Sequence, residues 1–163
     1  MDKTIIASLY EYGIWANDRL LALAAKLTPE QLARESSKGY LSIHQTFVHL
    51  VSADTRWFAR WKNETLPTPL TAQDVPTLEA IRRAWEPLIA ARRAYLAGLS
   101  EDQLREPLSL TFDGRAYTLP RWQGIVQAAN HATQHRSEIA AMLTDAGHSP
   151  GDIDYLFFCL GRP

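Results

Sequence analysis

The chain has 163 residues, with 17 lysines and arginines against 18 aspartates and glutamates and a formal charge of −1. That length predicts one domain over residues 1–163, and 46% hydrophobic with 21% charged residues excludes a disordered chain. With no basic surplus there is no electrostatic ground for nucleic-acid binding, and the single cysteine, Cys159, excludes an internal disulfide framework. No apolar run approaches the roughly 18 residues of a membrane span. The start, Met1-Asp2-Lys3-Thr4, lacks the basic-then-apolar layout of a secretion signal. A cytoplasmic protein without membrane contact is the expectation.

In chain order, Lys3 to Lys26 reads as a first helix, with Ile5, Ile6, Leu9, Tyr12, Ala16, Leu20 and Leu23 recurring at intervals of three and four. Thr28-Pro29-Glu30-Gln31 is a capping box that opens a short helical turn. After Gly39, residues Ser42 to Lys62 form a second helix, with Ile43, Phe47, Leu50, Val51, Trp57, Phe58 and Trp61 as its apolar stripe. Pro67, Pro69 and Pro76 mark an extended connection long enough to cross a bundle. The third helix spans Leu78 to Leu99, with a kink expected at Pro87. Arg82, Arg83, Arg92 and Arg93, with Glu79 and Glu86, read as its solvated face.

Ser100-Glu101-Asp102-Gln103 repeats the capping-box pattern, and Leu108 to Leu119 folds about Asp113-Gly114 as a hairpin. The fourth helix runs from Pro120 to Asp145 and stops at Gly147. The tail after Asp152 is too apolar to be left in water, which makes Cys159 a buried packing residue. Together these elements give an all-α fold: a four-helix bundle with one long crossover connection, short capping turns and a small hairpin before the last helix.

Chemistry concentrates in the histidines. His131 and His135 lie one turn apart on the fourth helix, a spacing that lets two imidazoles share one metal ion. Ala132 stands where a zinc protease helix carries its glutamate base, which excludes that activity. Ala128, Ile139 and Met142 share the face, so the pair points inward. Two readings remain open at this point: buried neutral imidazoles with hydrogen-bond partners, or two metal ligands completed from another helix, for which His49 is the best donor. His44 faces elsewhere on its helix, and His148 follows the helix-ending glycine as an exposed loop residue.

Tyr12-x-x-Trp15-Ala16-Asn17-x-Arg19-Leu20, Ser42-Ile43-His44-x-Thr46-x-x-His49-Leu50, His131-x-x-x-His135-Arg136 with Ile139, and Gly147…Pro150…Asp154-x-x-Phe157 occur in that order. This succession resembles the DinB/YfiT-like superfamily of small bundle metalloproteins. The resemblance implies a divalent metal held by His49, His131 and His135, and a homodimer. Some relatives are transferases that use a low-molecular-weight thiol. Ser137 departs from the glycine that many relatives carry there, which bears on helix packing and not on the ligands.

Three neutral imidazoles would leave a divalent ion its full charge and an open position. Zinc suits them best, with nickel, iron or cobalt as alternatives. Such a site activates a thiol or a water, and the resemblance makes metal-dependent thiol transfer on a small-molecule substrate the expected function. The alternatives are a metal-dependent hydrolase and a non-catalytic, metal-stabilised dimeric binding module. Asp54, Gln134, Glu138 and Asn17 are candidate supports for the histidines, and Glu138 is a candidate fourth ligand. Trp15 and Trp57 read as core aromatics or as pocket walls.

Overall fold

The computed structural model describes residues 3–36 and 41–161. Gly39, expected just before the second long helix, lies outside them, as do residues 162–163 of the tail. Four long helices carry the architecture: α1 (Lys3–Ala24), α3 (Ile43–Trp61), α4 (Leu78–Gly98) and α6 (Arg121–Asp145). Between and after them come α2 (Pro29–Ala33), α5 (Glu101–Arg105), strands β1 (Pro107–Phe112) and β2 (Arg115–Pro120), and α7 (Tyr155–Cys159). No described helix is long and apolar enough to cross a membrane.

Local chemistry sets most of these boundaries. Thr28 and Ser100 close reciprocal capping boxes with Gln31 and Gln103, and Ser42 does the same with Gln45 to start α3. Asp113 and Gly114 both take positive φ, 49° and 73°, which a two-residue turn requires if it is to match the strand twist. Gly147 ends α6 at φ 83°. Helix α4 continues through Pro87, whose missing N–H removes the helical bond to the Arg83 carbonyl on the exposed side of the helix.

Helix pairing follows from side-chain contacts. Glu11 pairs with Arg93 and Asp18 with Arg82, so α1 and α4 are antiparallel. The Tyr10 hydroxyl donates to the Ile125 carbonyl and Arg136 stacks on Tyr12, so α1 and α6 are parallel. Trp61 Nε1 donates to the Gly124 carbonyl at 3.3 Å while His49 meets His131, which makes α3 and α6 antiparallel. Phe47 lies against Trp85 and Trp61 against Tyr95, so α3 and α4 are parallel.

Two successive parallel helices need a connection that returns the length of the bundle. The segment between them does this along α3: Pro67 accepts from Arg56, the Leu70 amide donates to Ser52 Oγ, and the Val75 carbonyl bonds His44 Nε2. Helix α1 packs on α4 and α6, and so does α3, so α1 and α3 are diagonal. Trp61, Phe47, Leu20, Ile81, Ile125 and Ile139 are fully buried between them. Burial of each contributes about 1.5–3 kcal/mol.

The hairpin is pinned over the α3–α6 seam. Leu108 of β1 is completely buried and reaches Gly124, where a Cβ would lie 2.3 Å from its side chain. Arg121 ties the hairpin base, donating to the Gln103 carbonyl and to Glu106. Helix α7 rests on α1 through Tyr155 and Phe158 against Tyr12, and the Tyr12 hydroxyl donates to the Ile153 carbonyl.

Three local expectations are corrected. Arg92 belongs to the interior and not to the solvated face of α4: it is 5% exposed and pairs with buried Asp54 at 3.0 Å. Cys159 is exposed, because α7 turns its other edge to α1. His148 is half-buried where a fully exposed loop residue was expected.

Candidate metal centre

Helix α3 supplies His49, and antiparallel α6 supplies His131 and His135 one turn apart. The three rings converge although 82 positions separate the first two. His131 Nε2 lies 3.4 Å from His49 Nε2 and 3.2 Å from His135 Nε2. All three rings are partly buried, and their ligand atoms fall within 4.8 Å of one another.

The donor set can be tested against a cation. Metal–imidazole bonds of about 2.0–2.1 Å in a tetrahedral arrangement separate the nitrogens by about 3.3 Å, close to the spacing of the two pairs that share His131 Nε2. Glu138 Oε2 lies 2.6 Å from His135 Nδ1. A carboxylate there accepts the Nδ1 proton, so the Nε2 lone pair faces the other two rings. Proton sharing at these distances can join the rings only through His131 Nε2. One divalent cation satisfies all of them. The residues present therefore fit a metal.

Electrostatics agree. Burial, followed by the charge of neighbouring His135, pushes the His49 and His131 imidazoles below their ordinary pKa. Both rings are therefore held neutral, the form that ligates.

The supports expected from sequence divide. Glu138 binds the outer nitrogen of His135 and stands outside the group of three close ligand atoms, while Gln134 Nε2 reaches Glu138 Oε1 at 3.4 Å. Asp54 lies deeper in the bundle, where its Oδ2 accepts from Trp85 Nε1 and Arg92. Asn17 also faces the interior, beside Arg92 and Arg136. Ser137 is exposed and donates to the Thr133 carbonyl, so it does not obstruct packing. Trp15 packs against Phe158 of α7 with Arg19 over its ring, away from the histidines. Trp57 walls a cleft of about 460 Å³ that reaches His131. Leu110 and Leu119 of the hairpin complete that wall, and sequence reasoning did not connect them to the site. Their alternation about Asp113-Gly114 marked a strand face without showing what it would cover.

Residues 1–161 match the DinB family. The chain belongs to that family. Protein DinB of Bacillus subtilis strain 168 is 25% identical to this DinB-family chain over 153 residues, 90% of the chain and 89% of the relative. Among solved structures, YfiT from Bacillus subtilis covers 91% of both chains with a TM-score of 0.68 at 16% identity. It is described as a probable metal-dependent hydrolase with an unusual four-helix bundle topology. A DinB-like protein from Bacillus cereus ATCC 10987 covers 88% of this chain and 94% of its own, with a TM-score of 0.60 at 17% identity. At such identities these two structures establish a shared fold.

Proposed function

We propose that this DinB-family protein is a divalent-metal-dependent enzyme that transfers a low-molecular-weight thiol to a small electrophilic substrate, with His49, His131 and His135 as the metal ligands. The observation that carries this reading is the convergence of three imidazoles, with His131 Nε2 at tetrahedral-edge spacing from the Nε2 atoms of His49 and His135. A bound divalent ion supplies Lewis acidity, acidifying a thiol or water at its open position. Zinc suits three imidazoles best, with nickel and iron as alternatives.

The chain's own residues do the rest. Glu138 holds the His135 ring in one orientation and tautomer, which fixes where the open position points. Partial burial of the rings limits water around it. Among the described residues, no carboxylate joins the three imidazoles in the cluster. A ligand set of imidazoles alone favours a nucleophile acidic enough to need little help from a general base. A thiol meets that condition better than water. The likeness of the fold to YfiT, a probable metal-dependent hydrolase, favours hydrolysis as the second reading.

Two measurements test this. Protein purified without a metal-affinity tag is expected to carry about one equivalent of metal, and the His131→Ala variant almost none. Equal, negligible metal in both overturns the reading. Loaded protein is then incubated with a chloronitrobenzene, with and without added thiol, and with a nitrophenyl ester. Conjugation that requires thiol supports transfer, whereas ester cleavage indifferent to thiol replaces it with hydrolysis.

A further inference from the structure

The cleft beside His131 has a consistent chemical character along its length. Trp57, eight residues after His49 on α3, lies about 12 Å along the axis from the histidine cluster. Gln127 and Gln123 stand one and two turns before His131 on antiparallel α6, which brings Gln123 level with Trp57. Leu110, Phe112 and Leu119 of the hairpin form the third side. The walls are therefore mainly apolar and aromatic, with two amide side chains on one edge.

The far end differs. The Arg60 guanidinium lies 5.0 Å from the Trp57 ring centroid, stacked over the indole at the cleft margin. Among the described residues no carboxylate pairs with it. Its charged neighbour is another guanidinium, Arg56, whose Nη1 donates to the Pro67 carbonyl. Burial and then the Arg56 charge push Arg60 below its ordinary pKa, a cost that an anion beside it would relieve.

We propose that this cleft binds an elongated substrate with an apolar or aromatic body and a terminal carboxylate, with Arg60 taking the carboxylate and the opposite end directed to the histidine cluster. The proposal rests on the reading of that cluster as the reactive centre. A planar guanidinium held on an indole presents its N–H fork to a carboxylate in a fixed orientation, which a lysine in its place would not. The leucines, Phe112 and Trp57 exclude water from the body of the ligand. The two glutamines reject nothing by charge, so they admit amide or hydroxyl groups along its length.

The test uses full-length protein and a matched pair of probes, phenylhexanoate and its neutral amide. Each is titrated into nitrogen-15-labelled protein, zinc-loaded and chelator-treated in parallel. The Trp57 indole resonance, assigned with Trp57→Phe, and the His131 ring report the position of the probe. The expected result is that the carboxylate binds about tenfold more tightly than the amide, with both resonances shifting. Arg60→Gln should erase the difference while leaving amide binding unchanged, and Arg60→Lys should restore part of it. Equal affinity of wild type for the two probes, or a preference that survives Arg60→Gln, overturns the proposal. Because the chelator-treated arm needs no metal, its outcome is independent of the metal content of His131→Ala. The cleft and the metal reading can therefore fail separately.

Discussion

Helix α3 carries two polar clusters five residues apart that look alike in composition and differ in closure. Around Asp54, one carboxylate oxygen accepts both Trp85 Nε1 at 2.9 Å and Arg92 at 3.0 Å, with Asp54 and Arg92 side chains under 10% exposed. Around His49, three imidazoles converge, with His131 Nε2 lying 3.4 Å from His49 Nε2 and 3.2 Å from His135 Nε2. The buried carboxylate–guanidinium pair ties α3 to α4, whereas three convergent imidazoles with no charged partner among them form a candidate metal site. Helix α3 thus holds the bundle on one side and presents chemistry on the other.

The sharpest way to break that division is Asp54→Ala, which leaves the Arg92 charge buried without its partner. Urea unfolding should show a loss of about 3–5 kcal/mol, while zinc still raises the melting temperature of the molecules that fold. His131→Ala should do the reverse, abolishing the zinc-dependent rise with little change in the metal-free protein. If both variants lose both properties, the clusters act as one unit.

A smaller effect is expected at Glu138. Glu138→Gln keeps the shape and removes the carboxylate that orients His135. Competition with a chromophoric chelator should show zinc affinity falling about 10–100-fold, with unfolding of the metal-free protein nearly unchanged. An unchanged zinc affinity would mean that the 2.6 Å contact does not position the ligand.

The smallest effect concerns protons. The folded chain keeps His49 and His131 neutral to a lower pH than the unfolded chain, whose histidines titrate near 6.5. Below that value the unfolded state binds more protons, so stability of the metal-free protein should fall as pH drops and level off below the folded pKa values. Thermal melts in chelator from pH 8 to pH 5 should show that decline, and the His49→Gln, His131→Gln double variant should flatten it.

What the sequence discloses follows the range of the interactions. Capping boxes at Thr28 and Ser100, the Asp113-Gly114 turn and the Gly147 stop are satisfied within a few residues, so local pattern finds them. The His131–His135 pair is legible because helical geometry alone sets its spacing. His49 is the best third candidate from its register beside the apolar stripe of its helix, and the resemblance of several motifs in order supplies the long-range information that spacing lacks. Arg92 was misread because its partner, Asp54, sits on another helix, and nothing near Arg92 distinguishes a buried arginine from the solvated ones beside it. The same holds for Glu138, whose position three residues after His135 fits a ligand or an orienting group equally until the ring nitrogens are placed. Cys159 failed for a different reason: a five-residue helix on the surface hides only one edge, and a run of apolar letters does not say which.

The missing side chain at Gly124 lets Leu108 sink fully between α3 and α6, so the hairpin is anchored at one leucine near its base. Its tip, with Phe112 and Tyr117 exposed, carries none of that load. Residues toward the turn can therefore be exchanged without disturbing the helices or the histidines. The outer wall of the cleft can thus vary in sequence while the three histidines keep their places.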